Sequence, residues 1–198
     1  MTSHLTGSVA AILLAAGKSR RMGSCKQLLP LGESSVISRC IGALVTGGAG
    51  EIVVVVSEEG HGVAEAVRGY PVRIVVNPES EGDMASSVRA GRDALTAEAS
   101  GVIVSLCDYP LVSAGTINGL IVEHGESPGS IIIPCHQERR GHPLLFSRTI
   151  LNELSEEQTL RDLVRRDPNR IRNLNVDDPG VLLDMDTPED YRRICSMI

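Results

Sequence analysis

The chain has 198 residues, a formal net charge of −6, 42% hydrophobic, 22% charged and 2% aromatic residues. That length suits one domain with its own core, and an acidic balance with few rings excludes a basic, stacking nucleic-acid face. No apolar stretch reaches membrane-spanning length. Cys25, Cys40, Cys107, Cys135 and Cys195 form no C-x-x-C pair, which predicts reduced thiols in a cytoplasmic protein.

Residues 1–8 lack the charged and apolar regions of a signal peptide and read as a flexible start. Val9–Leu14 is an apolar run too short for a confident helix, and it breaks into Ala15-Ala16-Gly17. This predicts a buried parallel strand feeding a ligand loop. With almost no side chain at 15–17, backbone N–H groups can approach a phosphate closely. Lys18, Arg20, Arg21 and Lys26 follow within nine residues, a concentration of cations that suits a phosphate partner. A Walker A loop would need Gly where Ile12 stands, and the Rossmann pattern would need a second Gly two residues after Gly17.

Ser34–Thr46 reads as a helix with Val36, Ile37, Cys40, Ile41 and Leu44 on one face. Glu51–Val56 is a strand, Gly60–Arg68 a short helix, Val72–Val76 a strand ending at Asn77-Pro78, and Met84–Leu95 a helix. Gly101–Leu106 is an apolar strand that stops at Cys107-Asp108-Tyr109-Pro110. This alternation predicts a doubly wound α/β sheet, with ligands at the carboxyl ends of its strands. Ser113–Glu123 is a helix, Ser130–Pro134 and Pro143–Phe146 are strands flanking a polar turn, and Leu160–Arg166 is a helix. Val181–Leu183 leads into Asp184-Met185-Asp186, and Thr187-Pro188 opens a last helix as N-cap and first-turn proline. One domain over residues 1–198 is expected, an α/β core with a smaller β-containing insertion.

Asp108 follows an apolar strand on the edge where the Gly17 loop opens, so it can hold a magnesium ion against bound phosphates. Equally, it can bond its own turn before Pro110. Asp184 and Asp186 share a face in extended chain and either can reach that metal, or both can cap the helix at Thr187. Cys107 has no evident base beside it and reads as a small buried filler.

The stretch from Leu14 through Ala15, Ala16, Gly17, Arg21, Met22 and Gly23 to Lys26, Gln27 and Leu28 resembles the signature loop of MobA-like nucleotidyltransferases, especially the molybdenum cofactor cytidylyltransferases. The resemblance implies a Rossmann-like three-layer α/β/α fold with a mostly parallel sheet. It also implies transfer of CMP from CTP to the phosphate of a molybdopterin-type acceptor, with magnesium as cofactor and a molybdenum hydroxylase as a client. The family places a metal-binding Asp at the Asp108 strand end, usually within Gly-Asp-Gln-Pro, and an acidic or Asn residue before the last helix, which favours Asp184 with Asp186 assisting or capping. Lys26 and Arg21 would steady the departing pyrophosphate. Leu14, Ala15, Ala16, Gly17, Asn77 and Ser87 would border the nucleotide. Asn77 can instead be a turn residue, with Asp83 a helix cap. Gly141-His142-Pro143 is similar to an acceptor-binding segment of the cytidylyl group, in which His142 leans into an open pocket beside Gly141. A guanylyltransferase of the same family and a non-catalytic maturation factor are the competing readings.

Overall fold

A computed structural model describes residues 8–17, 22–79, 83–96 and 98–198. Of the flexible start expected over residues 1–8, all but Ser8, whose carbonyl accepts from the Ser100 N–H, lies outside the described residues, as do Lys18, Arg20 and the Arg21 assignment.

The elements run β1 (Val9–Leu14), β2 (Pro30–Leu31), β3 (Ser34–Ser35), α1 (Val36–Thr46), β4 (Ile52–Ser57), α2 (His61–Ala66), β5 (Arg73–Asn77), α3 (Met84–Ala94), β6 (Gly101–Leu106) and α4 (Ala114–Glu126). They continue as β7 (Ile131–His136), β8 (Arg139–Arg140), β9 (Leu144–Ser147), α5 (Arg148–Leu151), α6 (Leu160–Arg166), β10 (Ile171–Asn175) and α7 (Pro188–Cys195). The main sheet has the order β10-β7-β9-β6-β1-β4-β5, with β8 paired to β7. The β1–β4, β1–β6, β4–β5 and β7–β10 pairs are parallel, while β9 is antiparallel to β6 and β7. From β1 the chain steps outward to β4 and β5, then returns to β6 on the other side. The order therefore reverses at β1, and a crevice opens beyond the carboxyl ends of β1 and β6.

Period-two alternation makes the layers. Val9, Ala11 and Leu13 of β1 join Ile37, Ile41, Ile117, Leu120 and Ile194 of α1, α4 and α7 on one face. Ala10 and Ile12 meet Val88, Ile150 and Leu163 of α3, α5 and α6 on the other. A strand covered on both faces has no polar side, which is why β1, β4 and β6 read as nearly continuous apolar runs rather than alternating ones.

Two expectations change. The strands after residue 130 form no separate insertion, because β7 and β9 extend the main sheet through β6. Ile171–Asn175 is a strand that the pattern did not reveal: Ile-Arg-Asn-Leu-Asn is Asn-rich, and its place at the sheet edge leaves most of it exposed, so no apolar alternation marks it. The helix expected from Ser34 begins at Val36, with Ser35 as its cap accepting from the Ser38 N–H, and the expected cap Asp83 accepts from the Ser86 N–H.

Candidate active site

β1 and β6 run in register up to the Leu14–Leu106 pair, and one further bond, from the Cys107 N–H to the Leu14 carbonyl (3.2 Å), ties the two exits together. Asp108 therefore emerges directly beside the Ala15–Gly17 loop. A third segment reaches the same place from the far end of the chain: the Met185 N–H donates to the Asp108 carbonyl (2.9 Å). Met185 is fully buried, so its neighbours Asp184 and Asp186 both turn outward, as alternation in extended chain requires.

Lys26 lies at the centre. Its Nζ donates to Asp108 Oδ2 (3.0 Å), Asp186 Oδ1 (3.1 Å) and the Met185 carbonyl (3.3 Å), with only 12% of its side chain exposed. Burial works against its charge, but the two carboxylates, Asp108 first, outweigh that and raise its pKa above the ordinary lysine value. Among the described residues Asp108 and Asp186 share the Lys26 ammonium, and the buried Asp108 Oδ1 has no hydrogen-bond partner. An orphaned carboxylate oxygen beside a second carboxylate suits a hard divalent cation. Among the described residues no group of three or more His, Cys, Asp or Glu side chains could hold a metal.

Asp186 therefore faces Lys26 and not the end of α7. That helix is capped by Thr187 and Asp190 in a reciprocal capping box. Asp184 is exposed, yet close enough to act on Tyr109 and His142. The Tyr109 phenol is pushed up to about 12 by burial and then by Asp184, Asp108 and Asp186. The Tyr109 and His142 rings stand 4.9 Å apart at 46°. Burial lowers the His142 pKa against the opposing pull of Asp108 and Asp184, leaving a neutral imidazole at pH 7. Gly141 is buried and opens no pocket: a Cβ there would sit 2.2 Å from the Val181 carbonyl, to which the His142 N–H donates at 2.9 Å. Its missing side chain serves a close backbone approach.

On the β4 side of the loop is a cleft of about 460 Å3, with Ala15, Gly17, Cys25 and Gln27 facing Ser57, Glu59, Gly60 and Gly62. Leu14, at the end of β1, is half-buried. Asn77 and Ser87 sit at the carboxyl end of β5 and the start of α3, and both are buried. The Asn77 amide donates to Ser86 Oγ (2.9 Å) and Ser87 Oγ (3.0 Å), and its oxygen accepts from the Glu79 N–H (3.1 Å). Ser87 thus accepts from Asn77, the other residue that the resemblance assigned to the nucleotide. Cys107 is buried, and its pKa is raised well above the ordinary thiol value by Cys40 and by burial, so it is no nucleophile. Gln27, which sequence reasoning did not single out, is 2% exposed and bonds the loop itself. The signal was available: one amide at the head of an otherwise apolar Leu-Leu-Pro-Leu run.

Residues 11–171 match the MobA-like NTP transferase domain. Nicotine blue oxidoreductase of Paenarthrobacter nicotinovorans is 29% identical over 198 residues, covering 94% of this chain and 96% of that protein. Purine catabolism protein PucB of Bacillus subtilis strain 168 is 29% identical over 194 residues, covering 91% and 92%. The crystal structure of Rv0371C from Mycobacterium tuberculosis H37Rv in complex with manganese superposes with a TM-score of 0.81 at 26% identity, covering 96% of this chain and 98% of that one. With the crevice at the β1/β6 reversal and a match spanning most of its length, the chain belongs to the family of MobA-like NTP transferase domains.

Proposed function

We propose that the protein transfers CMP from CTP to the phosphate of a molybdopterin-type acceptor, releasing pyrophosphate. The observation that carries this reading is Lys26, delivered from the loop turn onto carboxylates from two distant segments at the carboxyl edge of the sheet. An acceptor phosphate oxygen attacks the α-phosphorus, and the bond from that phosphorus to the oxygen bridging to the β-phosphorus breaks, the electron pair leaving with pyrophosphate. No protein nucleophile is required, so catalysis is positioning and electrostatics.

The Ala15–Gly17 loop offers backbone amides to the triphosphate, and Lys26 offers its ammonium; the sequence gives Arg21 the same task. Leu14 borders the nucleotide, with the cleft between Gly17 and Gly60 as its seat, while Asn77 and Ser87, bonded to each other, hold the backbone beside it. Asp108 and Asp186, with Asp184 adjacent, would hold magnesium, which supplies positive charge to the phosphate oxygens. The manganese complex of the Mycobacterium tuberculosis protein supports a divalent ion here. Neutral His142 can donate one N–H to an acceptor phosphate, and Tyr109 holds its ring in place. CTP is favoured over GTP by the resemblance carried by Ala15-Ala16 and Gly141-His142-Pro143. The resemblance implies a role in molybdenum cofactor maturation, with a molybdenum hydroxylase as client.

The test is pyrophosphate release from each NTP with magnesium and molybdopterin, with reduced nicotinamide oxidation followed in parallel, because one full-length relative is named an oxidoreductase. CTP-dependent release is the expected result. Preference for GTP moves the protein to the guanylyl group. Binding without release makes it a non-catalytic maturation factor, and nicotinamide turnover without release overturns the transferase reading.

A further inference from the structure

Gln27 follows Lys26 in a one-turn 3-10 helix, Lys26–Leu28, that is fixed on both sides by backbone bonds: the Leu28 N–H to the Cys25 carbonyl (3.1 Å), and the Val36 N–H to the Leu29 carbonyl (3.0 Å). Its side chain turns inward. Nε2 donates to the Ala15 carbonyl (3.0 Å) and to the Gly17 carbonyl (2.9 Å), and the Cys25 thiol donates to Oε1 (3.2 Å). Both amide hydrogens thus go to the loop that follows β1. In a planar trans peptide the carbonyl and the next N–H point in opposite directions. Drawing the Ala15 carbonyl toward Gln27 therefore turns the Ala16 N–H away from it, as a donor to a bound anion.

We propose that Gln27 is the positioning residue of the phosphate loop, holding Ala15–Gly17 with their amides presented to a triphosphate and locking that loop to the turn that delivers Lys26 to Asp108 and Asp186. The inference rests on the nucleotidyltransferase reading and specifies which side chain prepares its phosphate site. A substitution that removes both donors leaves two loop carbonyls unpaired, and the loop relaxes to find other partners. The loss falls on triphosphate binding, because Gln27 need not touch the reacting atoms to act.

The experiment measures binding of magnesium tripolyphosphate, a probe without base or ribose, to full-length wild type, Gln27→Leu and Gln27→Glu, alongside thermal unfolding. Gln27→Leu is expected to weaken binding by about tenfold or more, a difference of the size that a lost buried hydrogen-bond pair supports. KM for CTP should rise more than kcat falls. Gln27→Glu should bind as weakly near pH 8, where a carboxylate opposes two carbonyls. It should recover near pH 5.5, where a protonated carboxyl donates again, while wild type shows no such recovery. In wild type, which avoids any folding defect of the variants, tripolyphosphate should slow hydrogen exchange at the Ala16 amide. Affinities within twofold of wild type in both variants, or an Ala16 amide that gains no protection, overturn the Gln27 assignment alone. Wild type that binds no tripolyphosphate overturns the nucleotide reading with it.

Discussion

Two polar clusters stand at the carboxyl edge of the same sheet, and they are built on opposite principles. After β5, Asn77, Ser86 and Ser87 are buried, and the Asn77 amide is used completely within the protein, two donations and one acceptance. After β6, Lys26 reaches both Asp108 and Asp186, and Asp108 Oδ1 is left buried without a hydrogen-bond partner. Neutral groups that satisfy one another specify a backbone path. Charges left incompletely matched are expensive to keep and are what a site for a cation and an anion requires. The first cluster explains how α3 is hung from β5; the second explains what the crevice is for.

The contrast is sharpest at Asp108. Asp108→Asn should lower CTP-dependent pyrophosphate release by about 100- to 1,000-fold, the range for losing one preorganised electrostatic group, without lowering the unfolding temperature. Activity within tenfold of wild type would remove Asp108 from the mechanism.

Lys26→Met should cost about 2 kcal/mol of stability, as expected for a charge-assisted hydrogen-bond set. The stability difference from wild type should be present in full at neutral pH and be lost as pH rises past the ordinary lysine value of 10.5 through the raised value of the folded protein. Because an ammonium and a dication compete for the same oxygens, this variant should also bind manganese more tightly than wild type when no nucleotide is present. Unchanged or weaker manganese binding, read by paramagnetic resonance, would separate Lys26 from the metal site.

Asn77→Ala probes the neutral cluster. It should cost about 1–2 kcal/mol, lowering the midpoint by roughly 2–4 °C for each kcal/mol in a chain of this size, with KM for CTP nearly unchanged. A tenfold rise in KM at constant stability would instead return Asn77 and Ser87 to the nucleotide, as the family resemblance implied.

The smallest effect concerns His124, which is buried with Nε2 against Ser100 Oγ (3.1 Å) and Nδ1 unpartnered. Burial lowers its pKa below the usual 6.5. Between that value and the lowered one the unfolded chain binds more protons, so stability is full above pH 6.5 and is lost as pH falls through the folded value, by at most about 1.4 kcal/mol per pH unit. His124→Gln should flatten that slope in denaturant titrations at several pH values and leave the contribution of His142, whose pKa is also lowered by burial. An unchanged slope would assign the acid sensitivity elsewhere.

Much of the fold was legible because its central strands are buried on both faces. Val9–Leu14 and Gly101–Leu106 announce themselves as apolar runs that break abruptly, the first into small residues and the second into Cys107-Asp108, and those ends are the site. Ile171–Asn175 was not legible, since an exposed edge strand needs no apolar alternation. The loop, Lys26 and Asp108 could be picked out one by one from charge and spacing. The partnership could not: Asp184 and Asp186 are equivalent by alternation, and only the bond from the Met185 N–H to the Asp108 carbonyl brings their segment across so that Asp186 meets Lys26. Gln27 carried a signal, an amide at the head of an apolar run, but only the fold shows that it turns inward to the Ala15–Gly17 loop.

Local sequence by itself determined the strands, the small-residue loop and the stock of phosphate-binding and metal-binding groups, since hydrophobic periodicity and turn chemistry act over a few residues. Tertiary structure decided which charges neighbour one another. Lys26 and Asp108 are 82 residues apart, and Lys26 and Asp186 160. Coulomb interactions depend on distance in space, which the reversal of strand order at β1 sets and no local pattern encodes.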